Sequence, residues 1–385
     1  MPRVPEHSFV SRLSHQSGVS VQRQKSENLG DSVIVIKMLR AGVCGTDLAM
    51  LTGARPGQAE ILGHEGVGVV LSAPENCGVS KGARVIINPV HRKHPRTVIG
   101  HSCDGVFREL FCLDAADAVE GGHLVTIPRD CALGDAELVL AEPLASVLYS
   151  LELLREKCGP ASLLIRGSGT VGILAAKVWS RLTGSFAILL SKSEAHARWL
   201  REAAPWPASV RVCGPASLAG AIHECSGSLG IGAAILCCSR ESAPEGLRSL
   251  LDVVQEGAAI DLMAGFPAEY REGRLGDVNL DGIRWENICG IRGSPPTAVL
   301  DRCGGKTIYL IGHRGTAERY ILQAIELLSR RVVSRADVPH RLLTLEELPD
   351  ALNQMLSTET RKHTKWVKAI VTFRKEDRGK PRGGC

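Results

Sequence analysis

The sequence has few aromatic residues, little excess charge and no long hydrophobic run. Aromatic side chains make up 4% of the 385 residues, and 46 Lys and Arg stand against 41 Asp and Glu. So small a charge excess does not favour a nucleic acid or an anionic membrane as a partner. No stretch reaches the ~20 consecutive apolar residues of a membrane-spanning helix, and the N-terminal residues lack the apolar segment of a signal peptide. We therefore expect a small-molecule ligand, with neither a membrane nor a nucleic acid as partner.

Cysteine is plentiful, but the spacing typical of disulfide or zinc-ribbon scaffolds is missing. The thirteen cysteines lie singly, apart from the neighbours Cys237 and Cys238, and no CxxC occurs. In a chain of this length such a scatter indicates free thiols in a reducing compartment rather than cross-links in a secreted domain. The sequence thus predicts a cytoplasmic protein.

The hydrophobic pattern changes along the chain. From about residue 30 to 125, short apolar runs such as SVIVIKM and GVGVVLS are broken by Gly, Pro, Asn and Asp, which predicts a mostly antiparallel β region without helical periodicity. A helical spacing of leucines follows near residues 136–155, and beyond it apolar strands alternate with helices, which indicates a parallel sheet. The predicted α/β protein has domains at 1–152 and 153–313, and residues 314–385 return to the first domain and end in a frayed tail.

A glycine-rich turn lies between the first strand and the first helix of the alternating region. The strand SLLIRG runs into the helix VGILAAKVW through a GxGxxG sequence. In this context the spacing permits a tight turn, leaves bare backbone beneath a pyrophosphate and lets helix and strand pack closely, while the helix N-terminus faces the phosphates. We predict a dinucleotide site that includes Gly167, Gly169, Thr170, Val171 and Gly172.

The end of the second strand indicates which dinucleotide binds. Sites that prefer NAD keep an acid there for the ribose 2′-hydroxyl, whereas this chain has Ser191, Lys192 and Ser193. A 2′-phosphate would meet no repulsion, and the lysine and two hydroxyls offer it partners. We predict NADP(H) in preference to NAD(H). The alternative is that Lys192 is an ordinary solvated lysine and the site also accepts NAD.

Separated segments supply side chains that bind zinc. Cys44 lies in GVCGTD, His64 and Glu65 lie in GHEG, and Glu142 lies in AEPL. Thiolate, imidazole and carboxylate are all zinc ligands, and three protein ligands leave a fourth position open for water or an alcohol. Each residue type alone is more often an ordinary core or surface residue, so their joint occurrence with the dinucleotide turn is what indicates a site. We predict a catalytic zinc rather than a structural one.

Together these motifs resemble the zinc-dependent medium-chain alcohol and polyol dehydrogenases, from about residue 20 to 373. The resemblance is carried by GVCGTD, GHEGVGVV, DGVFREL, AEPLASVLYSLE and GSGTVG, in the order and spacing of the family. It implies a GroES-like, mostly β catalytic domain, a doubly wound Rossmann domain, and a homodimer or homotetramer. It also implies a catalytic set of Cys44, Thr46, His64 and Glu65, with the threonine passing on the substrate proton. Glu65 and Glu142 are both candidate zinc ligands, since one can coordinate the metal while the other acts as its outer partner.

Two departures from the family pattern change what the resemblance implies. Ala49 stands where the family commonly has a histidine that finishes the proton path, so Asp47, ribose hydroxyls or water would have to replace it. The stretch NPVHRKHPRTVIGHSCDG has only Cys103 where many members bind a structural zinc with four cysteines. We therefore predict one catalytic zinc and no structural zinc. The remaining candidates in this stretch are interpreted as surface histidines of a basic loop: His91, His94 and His101.

The predicted reaction is reversible hydride transfer between NADP(H) and a secondary alcohol or its ketone. A glutamate at position 142 makes the metal site richer in oxygen than a two-cysteine site, which fits a polyol, a cyclitol or an amino-cyclitol. Two alternatives stay open: a zinc-free quinone or enone reductase of the same superfamily, and a catalytically silent nucleotide-binding subunit. The retained zinc-type residues argue against the first, whereas Ala49 and the missing zinc lobe make the second conceivable.

Overall fold

The computed structural model describes residues 3–12, 18–25, 27–227, 230–267, 269–288, 298–303, 305–357 and 365–373. The strands in these residues are β1 (Arg3–Val4), β2 (His7–Arg12), β3 (Val19–Gln24), β4 (Glu27–Asn28), β5 (Val33–Gly42), β6 (Glu65–Ser72), β7 (Arg84–Ile87), β8 (Leu110–Asp114), β9 (Leu124–Thr126), β10 (Leu163–Arg166), β11 (Ala187–Leu190), β12 (Val210–Cys213), β13 (Ile231–Leu236), β14 (Val254–Asp261), β15 (Ala298–Cys303), β16 (Lys306–Ile311), β17 (His340–Thr344) and β18 (Lys368–Thr372). The α-helices are α1 (Gly45–Leu51), α2 (Ala115–Val119), α3 (Asp135–Leu138), α4 (Ala141–Cys158), α5 (Thr170–Thr183), α6 (Glu194–Ala203), α7 (Leu218–Ser226), α8 (Ala243–Val253), α9 (Leu280–Glu286), α10 (Glu318–Ser329) and α11 (Leu348–Leu356). Single 3₁₀ turns lie at Pro215–Ser217, Gly273–Leu275 and Arg335–Asp337.

The chain divides into two compact units. The first comprises Met1–Val139 and His340–Cys385, and the second comprises Leu140–Pro339. The boundaries therefore fall before α4 and after α10, not at the predicted residues 152 and 313. Both helices pack within the second unit, where Tyr320 of α10 donates a hydrogen bond to Glu152 of α4 at 2.7 Å. Helical periodicity predicts that each helix buries one face, but it does not identify the sheet that the face covers.

A seven-stranded, mostly antiparallel sheet forms the centre of the first unit. Its strands lie in the order β17, β18, β5, β6, β7 and β9, and β8 pairs with β5. The long strand β5 is central because it is buried along most of its length and pairs with β6, β8 and β18. Strand β18 runs antiparallel to β5. The last described strand of the chain therefore joins the sheet that contains β5 to β9. The segment KWVKAIVTF thus lies in the first unit, whereas residues 314–339, also predicted to return, lie in the second.

The second unit contains a parallel sheet that helices cover. Its strand order is β12, β11, β10, β13, β14, β16 and β15, and each neighbouring pair is parallel except β15 with β16. Strands β10, β11 and β13 are almost entirely buried apolar runs, as expected for strands covered on both faces. The strand order reverses between β10 and β13. In open α/β sheets the carboxyl ends of the strands beside such a reversal form the crevice where ligands bind.

Short elements differ from the sequence prediction. Helix α1 lies in the region predicted to have no helix, because its seven residues make only two turns and are too short to show a helical period. Strands β12 and β15 were not predicted either, since four to six residues beside turns give a weak alternation signal. The main order of strands and helices around the glycine-rich turn agrees with the prediction.

All ten cysteines whose side chains the structure describes are free thiols; Cys289, Cys303 and Cys385 are not among them. None of the described helices combines the length and the apolar character needed to cross a bilayer.

Candidate metal centre and dinucleotide site

Cys44, His64 and Glu65 meet in the first unit. Strand β5 ends at Gly42, strand β6 begins at Glu65, and these two residues pair across the antiparallel ladder. The pairing brings the loop that follows β5, which contains Cys44, beside His64 at the entrance to β6. Cys44 Sγ, one imidazole nitrogen of His64 and one carboxylate oxygen of Glu65 lie within 4.8 Å of one another. The structure therefore brings together three of the four predicted ligand residues.

This group fits a zinc ion in chemistry and in size. Zinc binds thiolate, imidazole and carboxylate ligands at about 2.0–2.3 Å, so ligand atoms around one ion lie roughly 3–4 Å apart. The separations here do not exceed 4.8 Å, so small side-chain adjustments would bring all three atoms to one ion. Within the part of the chain that the structure describes, no other group of three such side chains approaches as closely.

A buried aspartate fixes the two loops that carry the cysteine and the histidine. The carboxylate of Asp47 accepts hydrogen bonds from the backbone N–H of Cys44 at 2.8 Å and of Gly63 at 3.1 Å. One of its oxygens lies 3.6 Å from Nδ1 of His64. An acceptor on one side of an imidazole ring orients the ring and leaves its other nitrogen for a metal. Asp47 thus holds the site together, a role that differs from the predicted one as a substitute in the proton path.

The charges of the group favour the metal-binding form of the cysteine. Burial opposes ionisation of the Cys44 thiol, but the hydrogen bond and the positive charge of His64 outweigh burial and lower its pKa below the ordinary value. Burial also opposes protonation of His64, but Asp47 and then Cys44 outweigh it and raise the pKa of the imidazole well above its usual range. Because the thiolate is the metal ligand, Cys44 is prepared for a cation, and binding would displace the imidazole proton.

Glu65 is held by a lysine from the far end of the chain. Lys368 Nζ pairs with Glu65 Oε2 and donates a hydrogen bond to the carbonyl of Val43 at 3.1 Å. Burial lowers the pKa of Lys368 to about 8, although Cys44 and Asp47 favour its charged form. The pairing of β18 with β5 carries this lysine into the site. Lys368 is not predicted from the sequence motifs, and its one signal is a charged residue inside the apolar run WVKAIVTF.

Three further positions bear on the predicted proton path and metal ligands: Thr46, Ala49 and Glu142. Thr46 Oγ1 accepts a weak hydrogen bond from Cys44 Sγ at 3.8 Å, so the hydroxyl lies beside the ligand group. Ala49 lies on α1 and offers no proton-transfer group. Glu142 is buried in the first turn of α4, at the start of the second unit. Its role as a further ligand stays a prediction.

Two of the histidines in the stretch that is predicted to lack a structural zinc are not simple surface residues. His91 is buried, its Nδ1 accepts the backbone N–H groups of Lys93 and His94 at 3.1 and 2.9 Å, and its Nε2 lies 3.4 Å from Asp117. His101 packs edge to face against the ring of His64, with the ring centroids 4.8 Å apart. The surface interpretation was therefore wrong for these two, because a basic loop sequence does not show that the chain folds back into the core. His94 is exposed, as expected.

The glycine-rich turn of the second unit has the shape that the sequence predicts. Gly167 follows β10 with φ at 137°, and a Cβ on it would approach the carbonyl oxygen of Cys237 to 2.5 Å. A Cβ on Gly172 would overlap the carbonyl oxygen of Gly167. Gly169, by contrast, has no other atom within 4 Å of the place where its Cβ would be. Two glycines thus close the turn, and the third leaves open space at the N-terminus of α5, which begins with Thr170 and Val171.

We expect Gly169→Ala and Gly172→Ala to have opposite consequences. Gly172→Ala should lower the free energy of unfolding of the second unit by about 1–3 kcal/mol, since its methyl group overlaps backbone. Gly169→Ala should change stability by less than about 1 kcal/mol, because an alanine fits the extended N-cap conformation. It should nevertheless raise the dissociation constant for a dinucleotide at least about tenfold, since the methyl group fills the space that the phosphates need. Urea unfolding and NADPH fluorescence titration measure the two effects. Unchanged affinity in Gly169→Ala would show that phosphates do not occupy this turn.

Ser191, Lys192 and Ser193 follow the carboxyl end of β11. Ser191 is buried, and its hydroxyl lies 3.1 Å from the hydroxyl of Ser168 in the glycine-rich turn. Lys192 is exposed. Ser193 caps helix α6, where its hydroxyl accepts the backbone N–H of His196 at 3.2 Å. The three residues lie at the edge of the sheet where the adenosine part of a dinucleotide binds in this fold.

Comparison with known proteins finds a family model, curated relatives and solved structures that are similar to this chain. Residues 30–123 match the family described as alcohol dehydrogenase GroES-like domain. An uncharacterized zinc-type alcohol dehydrogenase-like protein of Haemophilus influenzae is 31% identical over 183 residues, 43% of this chain and 51% of that protein. An L-threonine 3-dehydrogenase of Shewanella sediminis is 25% identical over 283 residues, 67% of this chain and 77% of that protein. The crystal structure of L-idonate 5-dehydrogenase from Escherichia coli superposes with a TM-score of 0.70 at 17% identity, covering 97% of this chain and 99% of that one.

The described residues define an α/β protein: residues 30–123 match a GroES-like domain, the same unit holds a thiol, an imidazole and a carboxylate that fit a zinc ion, and the second unit has a parallel, Rossmann-like sheet. The chain spans about half the length of curated relatives such as the Haemophilus protein. The zinc-type medium-chain dehydrogenases/reductases are therefore the proteins that this chain resembles in part of its sequence and in its fold.

Proposed function

We propose that this protein is a zinc-dependent oxidoreductase that transfers a hydride between NADP(H) and a secondary alcohol or its ketone. The observation that carries the proposal is the convergence of a thiol, an imidazole and a carboxylate within 4.8 Å in the first unit. The second unit of the same chain has a glycine-rich turn shaped for a dinucleotide. A metal ligand group and a nucleotide turn in one chain are the two parts that zinc-assisted hydride transfer requires.

The residues of the metal centre have distinct roles in this proposal. Cys44, His64 and Glu65 would hold one zinc, and Glu142 is proposed as a further ligand or outer partner. Zinc, when bound, acts as a Lewis acid towards a substrate oxygen, and the nicotinamide supplies or accepts the hydride. Asp47 orients His64, and Lys368 balances the charge of Glu65. Thr46 would exchange the hydroxyl proton of the substrate, because its own hydroxyl lies beside the sulfur of Cys44.

NADP(H) is the proposed cofactor because the end of β11 carries no acid. Lys192 is exposed there between two serines, so a 2′-phosphate would meet a cation and hydroxyl groups. An acid at this edge would instead accept the hydroxyls of an unphosphorylated ribose and repel a phosphate. The charge pattern therefore supports NADP(H) over NAD(H).

A polyol, a cyclitol or an amino-cyclitol is the proposed substrate class. With Glu142 joining Glu65 at the zinc, the ligand set would be more oxygen-rich than a set with two thiolates, and this would favour substrates that present several oxygen atoms. The curated relative named L-threonine 3-dehydrogenase acts, by its name, on a molecule whose secondary alcohol adjoins an amine. An amino-substituted polyol has the same neighbouring groups.

The test of this function is metal analysis combined with a substrate panel. We expect about one zinc per chain, and NADP⁺ reduction with at least one polyol, cyclitol or amino-cyclitol. Chelation should abolish turnover and zinc should restore it, because the metal ligands are required for the reaction. Turnover of quinones or enones without zinc would instead identify the zinc-free reductase. Zinc binding with no turnover across the panel would identify a silent nucleotide-binding subunit.

A further inference from the structure

Arg166 lies at the edge of the proposed dinucleotide site and was not among the residues predicted from sequence. It is the last residue of β10 and directly precedes Gly167. In the parallel ladders Arg166 pairs with Leu190, the last residue of β11, and with Leu236, the last residue of β13. Arg166 therefore lies at the carboxyl edge of the sheet. On the neighbouring strand β11, the next residue beyond this edge is Ser191.

The guanidinium of Arg166 is held in place but has few partners. Nη1 donates a long hydrogen bond to the carbonyl of Ser191 at 3.5 Å, and Nη2 lies 3.6 Å from Glu245 Oε1. Nε is buried and has no hydrogen-bond partner among the described residues. The aliphatic part packs beside Gly246 of α8, where a Cβ would approach Arg166 Cγ to 3.3 Å. Since a guanidinium carries five N–H donors, most of its donor capacity is unused.

The nearby acid, Glu245, is poorly placed to accept hydrogen bonds from the unused N–H groups of Arg166. The side chain of Glu245 is 76% exposed, whereas that of Arg166 is only 12% exposed. An exposed carboxylate at 3.6 Å is well screened by water and contributes little binding energy. The neighbouring acid Glu194 is engaged elsewhere, since its Oε1 accepts hydrogen bonds from the backbone N–H and the hydroxyl of Ser217. A largely buried cation thus lies beneath the end of β11 with only a weak counter-charge.

We propose that Arg166 is a specificity-determining residue that binds the 2′-phosphate of NADP(H), exchanging its contact with Glu245 for the phosphate. A phosphate monoester carries about two negative charges at neutral pH and accepts several hydrogen bonds, which suits the planar fork of a guanidinium. Arg166 would approach the phosphate from the edge of the sheet, and Lys192 would approach it from the solvent side. Glu245 would oppose binding by its charge. This inference rests on the proposed function, and in particular on NADP(H) as its cofactor.

Nucleotide fragments without nicotinamide test the inference independently of catalysis. Calorimetric titration with 2′,5′-ADP and with 5′-AMP compares ligands that differ only in the 2′-phosphate. We expect Arg166→Met to lower the affinity for 2′,5′-ADP at least about tenfold, because the charged hydrogen bond to the 2′-phosphate is lost. The affinity for 5′-AMP, which has no 2′-phosphate, should change less than about twofold. Arg166→Lys should retain part of the affinity. Glu245→Gln should bind 2′,5′-ADP severalfold more tightly. Arg155→Met, an exposed arginine in the last turn of α4, is the matched control and should change neither affinity.

The outcomes separate this inference from the proposed function. The role of Arg166 would be overturned if Arg166→Met lowered the affinities for both nucleotides equally, or lowered neither. If Lys192→Asp then lowers the affinity for 2′,5′-ADP but not for the nucleotide without a 2′-phosphate, the proposed cofactor stands without a role for Arg166. If the unmodified protein binds neither fragment, the proposed cofactor and this inference both fail. Should Arg166→Met fold poorly, Glu245→Gln remains decisive, because a gain in affinity cannot arise from misfolding and its absence would contradict the proposal.

Discussion

Cys44→Ala is expected to remove zinc from the protein and to lower kcat/KM for alcohol oxidation at least about a thousandfold, or ~4 kcal/mol of the activation barrier. The sulfur is one of three ligand atoms that converge within 4.8 Å, and His64 and Asp47 are arranged around it. With two protein ligands left in that group, the affinity for zinc should fall steeply, since even outer partners of metal ligands contribute ten- to hundredfold. Metal analysis after dialysis and steady-state kinetics with the best substrate of the panel measure the two losses.

Two controls make this result specific. Cys131→Ser changes a partly buried free thiol of the same unit that does not belong to the ligand group, and it should keep both zinc and turnover. Binding of NADPH to Cys44→Ala should stay within about twofold, because the glycine-rich turn is built from residues of the second unit alone. Full zinc content or full activity in Cys44→Ala would contradict the metal centre, whatever the state of the dinucleotide site.

Lys368→Met is expected to destabilise the metal-free first unit by about 3–5 kcal/mol, because it leaves the Glu65 carboxylate buried without its counter-charge. The side chains of Lys368 and Glu65 are 1% and 2% exposed, so water cannot replace the lost partner. Zinc should reduce the loss, since the ion supplies positive charge beside the same carboxylate. Hydrogen–deuterium exchange of peptides from β6 and β18, recorded with chelator and with zinc, measures the stability of this region.

Comparison variants distinguish the lost ion pair from a general loss of packing. Lys37→Met replaces an exposed lysine on the central strand β5 and should change stability by no more than about 0.5 kcal/mol. The double variant Lys368→Met with Glu65→Gln removes the unpaired charge and should recover much of the metal-free stability. Equal destabilisation by Lys368→Met with and without zinc, and no recovery in the double variant, would mean that Lys368 acts through packing instead of charge.

Contiguous motifs could be predicted well from sequence. The glycine-rich turn is contained in six residues between a strand and a helix, and its close contacts involve mainly its own backbone and the strands beside it. The candidate ligand residues could also be found from the sequence, because Cys44, His64 and Glu65 stand in short motifs at the ends of adjacent antiparallel strands. A local motif specifies local geometry, so its function can be inferred before the remaining chain is placed.

Residues that act through pairing of distant segments could not be predicted. Lys368 reaches Glu65 only because β18 pairs with β5, and His101 reaches His64 only because its loop folds inward. Arg166 occupies the end of a strand that otherwise reads as an apolar run, so its position beneath Ser191 depends on the register between β10 and β11. None of these contacts has a signal in the spacing of residues along the chain.

The sequence by itself determined the class of chemistry: a thiol, an imidazole, two carboxylates and a phosphate-binding turn are covalent features of the chain, and their donor properties do not depend on the fold. Only the tertiary structure decided which charges face each other, where the two units divide, and which buried groups support the ligands. The physical reason is that burial and distance control electrostatic energy. Both are set by long-range strand pairing and packing, which bring together residues more than three hundred positions apart, as for Lys368 and Glu65.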